Sequence, residues 1–490
     1  MKTIFILLDS LNRDYLPIYG NPWVKTPNID RLALRSTVFD NHYCGSLPCM
    51  PARRDMLTGR LNFLEGPWGP IEPWDDCLPT LLRQQKGVYS HMITDHYHYF
   101  HSGGENYHTL FDSWEFERGQ EGDVWHAMVN PVEPPPTRGK GGVRRAYWAN
   151  RSFMDSERDE DYPTPRCFMR AMEFLENNHA ADNWHLHLEV FDPHEPFDCP
   201  QRYIDQYDDT WDDRYLYNWP QYGRIDPQLD DAQAIAHVRK RYAGALSMAD
   251  AWLGKLLDKL DEYRLWDDTT IILTTDHGHL LGEHGYWAKN VMFDYNQLAH
   301  IPLVVYRPGG QPGRVQHGLT TTIDLMPTVL ELFGAQPTPH VRGKSLLHLL
   351  TADGPHHAAV LYGYFAKDIN LTDGRYTYCR QPLPGSVAYH HTLSPRAFAD
   401  FIPRDRLAQA ETGVFLPVAY NIPHLRLPVN SHRHMDAPDF NPIYDVAVDP
   451  DQSTPIHDPT LEATLAGKLR EQLSYHDAPA SQYLRVGLTP

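Results

Sequence analysis

"TTIILTTDHGH", residues 269–279, is the stretch that decides the fold. A β-branched, apolar run with no polar alternation fits a strand buried on both faces, as in a parallel sheet sheathed by helices. Here the run closes on Asp276 and His277. The chain opens on the same pattern, "TIFILLDS" (3–10), which ends in Asp9. Weaker versions stand at "NWHLHLEVFDPHEPF" (183–197) and "IPLVVYRPG" (301–309). Between them lie helical periods at "TPNIDRLALRS" (26–36), "CLPTLLRQQ" (77–85), "RYAGALSMADAWLGKLLDKLDEYRL" (241–265) and "TTIDLMPTVLELFG" (321–334). Strands alternating with helices predict a doubly wound α/β domain, with a mostly parallel central sheet and helices on both faces. Ligands in such sheets bind beyond the carboxyl ends of the strands. Asp9, His194 and Asp276-His277 all stand just past predicted strand ends.

The chain has 490 residues, of which 41% are apolar, enough for one large core and a smaller one. The α/β pattern predicts a catalytic domain over 1–370. After it, "INLTDGRYTYCRQP" (369–382) carries an Asp-Gly turn between strand-like arms, and "PTLEATLAGKLREQLSY" (459–475) is a polar helix. These predict a small α+β subdomain with an antiparallel sheet over 371–490. Residues 124–165, rich in Pro, Gly and Arg, show no apolar period and read as an irregular excursion or lid. Within it "RGKGG" (138–142) lacks the Gly-Lys-Ser/Thr ending of a phosphate loop and reads as a solvated basic loop.

A net charge of −19 excludes a nucleic-acid footprint, which needs a basic surface. Six scattered cysteines form neither a dense disulfide framework nor a CxxC metal pair. The apolar run after Met1 is too short for a signal peptide, and no run of about 18 apolar residues follows, so a cytoplasmic protein without a membrane partner is expected. "HLLGEH" (279–284) has one residue too many for an inverted zinc-protease motif. "DHYHYFH" (95–101) reads as aromatics lining a strand or pocket. Asp9, Asp276 and His277, two carboxylates and an imidazole from separate loops, make a sensible site for a divalent cation.

"SLPCMPARRDMLTGR" (46–60) taken alone is a thiol buried at the start of a helix. In context, Cys49-Met50-Pro51-Ala52-Arg53 running on to Leu57-Thr58-Gly59-Arg60 resembles the signature of the type I sulfatases of the alkaline phosphatase superfamily. "TPNIDRLA", "FDPHEPF", "DDTTIILTTDHGHLLGEHG", "IPLVVYRPG", "TTIDLMPTVLELFG" and "PIYDVAVDPDQ" follow that family's order over nearly the whole chain.

The resemblance implies that a formylglycine-generating or sulfatase-maturating enzyme oxidises Cys49 to formylglycine. The hydrated aldehyde would attack the sulfur of a sulfate ester of a small molecule or saccharide, and its second hydroxyl would then expel the inorganic anion. It further implies that Asp9, the modified Cys49, Asp276 and His277 hold one divalent ion, that Arg53 holds the diol, and that His194 and Lys289 contact the transferring group. Three departures from the family pattern matter: Ser10 replaces a second Asp, His277 replaces an Asn, and Ile93-Thr94-Asp95-His96 replaces Gly-Lys-Trp-His, leaving His96 to keep the histidine's role. The first two shift metal preference from strict calcium toward manganese, magnesium or zinc. They are similar to the phosphonate monoester and phosphodiester hydrolase branch, the alternative activity. The Cys-x-Pro-x-Arg signature speaks against a serine- or threonine-dependent phosphomutase or pyrophosphatase, and the retained ligands speak against a non-catalytic binding protein.

Overall fold

All seven residues of Lys2–Leu8 (β1) are buried, as an unbroken apolar run requires. The computed structural model describes residues 1–212 and 214–490. Around β1 the large sheet is built from Thr37–Phe39 (β2), Tyr89–Thr94 (β3), Ser113–Phe116 (β4), Trp184–Val190 (β5), Thr269–Thr274 (β6), Leu303–Tyr306 (β7) and Arg314–Gln316 (β8). Their order is β8-β2-β7-β6-β1-β5-β3-β4. The pairings of β1 with β5 and β6, and of β3 with β5 and β4, are parallel; β7 runs antiparallel to both its neighbours. In register, Leu7 lies between Glu189 and Thr274. The chain therefore leaves β1, β5 and β6 at one level, with Asp9, Phe191 and Thr275-Asp276 side by side.

The sheet is covered by α1 (Pro27–Ala33), α2 (Cys49–Thr58), α3 (Leu78–Lys86), α4 (Pro163–Asn178), α5 (Ala232–Glu262) and α6 (Leu325–Leu332). Successive strand side chains point to opposite faces. Ile4, Ile6 and Leu8 accordingly join one core with α1, α4 and α5, while Phe5 and Leu7 join another with α2, α3 and α6. This is the doubly wound arrangement the sequence predicts. The sequence did not single out β3, whose run is interrupted by Ser90 and His91.

A second sheet of five short strands orders Ile443–Asp445, Tyr376–Arg380, Ile369–Thr372, Val360–Tyr364 and Ser46–Leu47. Asp373-Gly374 turns its central hairpin, with Gly374 at φ 87°. Position 370/371 falls inside one of these strands, and Ser46–Leu47 joins the sheet from the far end of the chain. That strand leads directly into α2, so the second sheet anchors the segment that carries Cys49. Residues 459–475 form a helix (α7) over this sheet. Residues 124–165 are irregular apart from short turns, the helix Arg145–Arg151 and the first turn of α4. Among the described residues no helix is long and apolar enough to cross a membrane.

One tertiary contact replaces a local signal. Thr26 precedes α1 but makes no side-chain cap. Instead the buried Asp250 of α5 accepts hydrogen bonds from the Asn28 N–H at 3.1 Å and the Ile29 N–H at 2.7 Å. Unpaired N–H groups at a buried helix start are costly. Asp250→Ala should lower unfolding free energy by about 2 kcal/mol, and Asp250→Asn, which keeps an accepting oxygen, by less than half of that. Urea denaturation of the two variants checks this; equal losses would mean the cap is not what Asp250 supplies.

Candidate active site

Cys49 is the first residue of α2, and all ten residues of that helix are buried. Arg53, four residues on, lies on the same face one turn later. Its guanidinium donates from Nε to Glu189 Oε2 (2.9 Å), from Nη2 to Asp9 Oδ2 (3.0 Å) and from Nη1 to Asp276 Oδ2 (2.7 Å). The three acceptors sit at the ends of β5, β1 and β6, which neighbour one another in the sheet. Glu189 is fixed in turn, since the Tyr99 hydroxyl donates to its Oε1 at 2.8 Å and His187 Nε2 lies 2.8 Å from the same oxygen.

Cys49 Sγ faces the second half of the cluster. It lies 3.3 Å from His277 Nε2, 3.6 Å from Lys289 Nζ and 3.9 Å from Asp9 Oδ1. His277 Nδ1 is 2.8 Å from the Gly278 carbonyl, which can only accept. The proton is therefore on Nδ1, and Nε2 presents a lone pair. Lys289 Nζ donates to Ser10 Oγ (2.9 Å), which donates to Asp9 Oδ1 (2.8 Å). His96 Nδ1 stands 3.5 Å from Asp9 Oδ2. His194 lines the same cavity, with Nδ1 held 2.6 Å from the Glu195 carbonyl. All the residues expected from the sequence thus come together: Asp9, Cys49, Arg53, His96, Asp276, His277 and Lys289 in contact, and His194 at the rim.

Burial sets the charge states. It is the largest influence on Asp9, whose carboxyl is pushed up to about 8, with the neighbouring Asp276 adding to the rise. Asp276 feels the same burial, but His277, Arg53 and Lys289 hold it well below the usual carboxylate range. Burial is overcome at Lys289 as well, where Cys49, Asp9 and Glu195 keep the ammonium charged. His96 and His194 are driven far down by burial and stay neutral. The Cys49 thiol is pushed well above its normal value, by burial first and by Asp9 next.

One ligand atom from each of Asp9, Cys49, Asp276 and His277 falls within 4.8 Å of the others. Two hard oxygens, an imidazole lone pair and a cysteine position suit a divalent cation. The raised Asp9 carboxyl marks a pair of anions short of positive charge, which such an ion would supply. The residues fit.

Outside this floor a cavity of about 380 Å³ opens over Cys49 and Lys289. Trp68 packs edge-on against His98 and Phe398 there, with ring centroids 5.2 and 4.7 Å away. Lys140 lines the cavity too, which corrects the reading of "RGKGG" as a solvated loop. Its side chain is 16% exposed, with Nζ 4.0 Å from Glu195 and 3.7 Å from the centre of the Tyr222 ring. The cause is Gly139, whose φ of 76° and missing Cβ let the backbone close onto Trp219, where a Cβ would meet the carbonyl at 2.0 Å. Glu189, Glu195, Tyr99 and Lys140 are site residues that sequence reasoning missed. Only Glu189 left a sign, a lone carboxylate in the buried run "HLHLEVF".

The fork geometry of Arg53 generates a test. Arg53→Lys keeps the charge, but one ammonium cannot reach three carboxylates. The substitution should cost about 3 kcal/mol of stability or more, since it leaves buried anions unpaired, and should abolish turnover. A variant that keeps wild-type unfolding and activity would show that the fork is dispensable.

Comparison with known proteins agrees with this geometry. The family model described as Sulfatase matches residues 2–335. The chain is 25% identical over 381 residues to the choline-sulfatase of Rhizobium meliloti, covering 71% of each. It is 26% identical over 419 residues to the multifunctional alkaline phosphatase superfamily protein PehA of Trinickia caryophylli, covering 72% of this chain and 78% of that protein. Its fold matches the phosphonate monoester hydrolase of Agrobacterium radiobacter with a TM-score of 0.66 at 19% identity, over 97% of this chain and 96% of the other. With the family model spanning the sheet, α2 and every residue of the buried cluster, the chain belongs to the sulfatase family, the sulfuric ester hydrolases of the alkaline phosphatase superfamily.

Proposed function

We propose that the chain hydrolyses sulfate monoesters through formylglycine made from Cys49, with one divalent cation held by Asp9, Asp276, His277 and the modified residue 49. The observation that carries this reading is the state of Cys49. A thiol that acts as a nucleophile needs a depressed pKa, yet burial and two carboxylates push this one up. At the centre of the cluster it is a poor thiolate and a well-placed precursor. A maturation enzyme is therefore a required partner, acting before the chain buries α2.

Formylglycine, once hydrated, would supply two hydroxyls on one carbon: one displaces the alcohol from sulfur, and loss of the proton from the other expels sulfate as the aldehyde re-forms, ready for water to hydrate it again. A bound cation supplies charge that lowers the pKa of the attacking hydroxyl. The chain's own residues do the rest. Arg53 donates to both Asp9 and Asp276 and fixes the two carboxylates that would hold the ion. Lys289, charged and 3.6 Å from Sγ, stabilises negative charge on the transferring oxygens. His194, with Nδ1 committed to the Glu195 carbonyl, presents Nε2 to the cavity. Neutral in the free protein, it gains proton affinity when an anion is bound beside it. The Trp68, His98 and Phe398 rings offer an apolar surface for the alcohol part of the ester.

A second reading, hydrolysis of phosphonate monoesters or phosphodiesters, is favoured by Ser10 and His277 at positions where sulfatases carry Asp and Asn. Both ester classes present one negative charge, as sulfate monoesters do. A panel of aryl sulfate, sulfated sugars, phosphonate monoester, phosphate diester and phosphate monoester, run on fully modified protein, ranks them. Monoanionic esters should lead, and preference for a dianionic phosphate monoester would overturn the reading.

Protein made with a maturase should contain formylglycine at position 49 by peptide mass spectrometry, and Cys49→Ser should lose at least about three orders of magnitude in turnover. Full activity of a wild-type preparation carrying only the unmodified thiol sinks this proposal. Asp276→Ala should lose bound metal and activity together, as should chelation of the wild type, which added divalent ion then restores. Unchanged metal content in Asp276→Ala places the ion elsewhere.

A further inference from the structure

Away from the cavity, Asp324, His356 and His357 form a second group of metal-ligating side chains. Asp324 stands just before α6. Its Oδ2 accepts from the Thr321 N–H (2.9 Å) and its Oδ1 from the Lys344 N–H (2.8 Å). His357 Nε2 lies 2.9 Å from Oδ1 and 3.0 Å from Oδ2. His356 Nε2 approaches Oδ2 to 3.4 Å from a ring tilted 78° to that of His357. The His356 side chain is 2% exposed, and among the described residues its Nε2 has no aligned hydrogen-bond partner.

That orphan atom is the informative one. A proton on His357 satisfies His357 and the carboxylate, but the buried His356 Nε2 then meets the same anion only at 3.4 Å and out of line for a hydrogen bond, and buried polar atoms left this way are costly. A cation between the three side chains would satisfy all of them at once. Donor atoms within 4.8 Å of one another suit a tetrahedral ion, whose ligands lie about 3.3 Å apart. Two imidazoles and one carboxylate select zinc over calcium or magnesium.

We infer that Asp324, His356 and His357 bind a structural zinc ion, separate from the catalytic one. Asp324 also holds the backbone of Lys344, and the adjoining Arg342 and Gly343 N–H groups donate to the carbonyl of Gly59, which ends α2. An ion there pins the 353–357 segment and α6 against the far end of the helix that carries Cys49 and Arg53.

The test is zinc stoichiometry and thermal stability. Chelator-stripped wild type and Asp276→Ala, titrated with zinc alone, should each take up one equivalent that raises Tm, and the wild type should take a further one at the catalytic site. In His356→Ala the affinity of the Tm-linked equivalent should fall at least about tenfold while catalytic metal loading stays as in wild type, each Tm rise being read against the metal-free form of the same variant. His357→Asn should lose the same equivalent. Zinc uptake and the Tm rise persisting in both His variants when each is built on Asp276→Ala, which lacks the catalytic equivalent, overturns the site. So does the absence of any zinc-dependent Tm shift in Asp276→Ala, or in wild type whose catalytic site is filled with manganese, readings that do not require the His variants to fold.

Discussion

Arg53 forks into three carboxylates that the sheet places side by side, and this buried contact organises the rest of the site. Glu189, Asp9 and Asp276 emerge from the neighbouring strands β5, β1 and β6. Three anions so close, and all buried, would repel one another by several kcal/mol at any reasonable interior dielectric. A guanidinium is the one side chain with enough donors, in a rigid plane, to serve all three. Placing Arg53 four residues after Cys49 also sets the helix. Once the fork is made, α2 cannot rotate, and residue 49 must face His277 and Lys289. The position of Cys49 is a consequence of the ion pair, enforced through helical periodicity.

The same contact fixes the charge of the floor. Two cations, Arg53 and Lys289, face three carboxylates, and the nearby imidazoles contribute none because burial keeps His96 and His194 neutral. The floor is thus one positive charge short, and Asp9, pushed up first by burial and then by Asp276, is the carboxylate that feels it. The divalent ion proposed for this floor would reverse the sign and leave a single positive charge for a monoanionic ester. Backbone strain gathers at the same place. Ser10, Ala288 and Asn290 all adopt left-handed conformations, with φ of 59°, 70° and 81°. Conformations of this kind cost about 1–3 kcal/mol each in non-glycine residues and persist only where the surroundings demand them. Here they turn Ser10 back onto Asp276, whose Oδ1 accepts the Ser10 N–H at 3.0 Å, and swing Lys289 over Cys49.

The parts of this arrangement that could be read from the sequence are those written in local periodicity. Asp9, Asp276 and His277 follow apolar runs whose composition announces a strand end, and Cys49 and Arg53 sit inside one helical turn of a recognisable motif. Lys289 and His194 were visible only through the family resemblance, since each has an ordinary surface or strand-end meaning by itself. What could not be read depends on long-range closure. Lys140 belongs to the cavity because Gly139 lets a Pro-rich excursion press against Trp219. Asp250 caps a helix more than 200 residues away in sequence. The second sheet begins before the predicted boundary and takes its edge strand from Ser46–Leu47, a two-residue pairing with no periodicity to detect.

The long-range and local electrostatics of the molecule act in opposite directions, and distance decides between them. A chain of net charge −19 repels an approaching anion, but that field is screened beyond about 8 Å in physiological salt. Within the cavity the screening disappears with the water. Lys289 is 2% exposed, and its ammonium is held charged by the carboxylates beneath it. Its attraction for a sulfuryl oxygen is therefore strong and short-ranged, felt only after the ester has entered past the Trp68, His98 and Phe398 rings. Entry then depends on the apolar contact of the alcohol part as much as on the charge of the ester. The Lys140 and Glu195 pair at the rim, 4.0 Å apart, presents neither sign alone. On the proposed function, selectivity for the anion would reside on the floor and selectivity for its alcohol on the walls, and the two are built from separate segments of the chain.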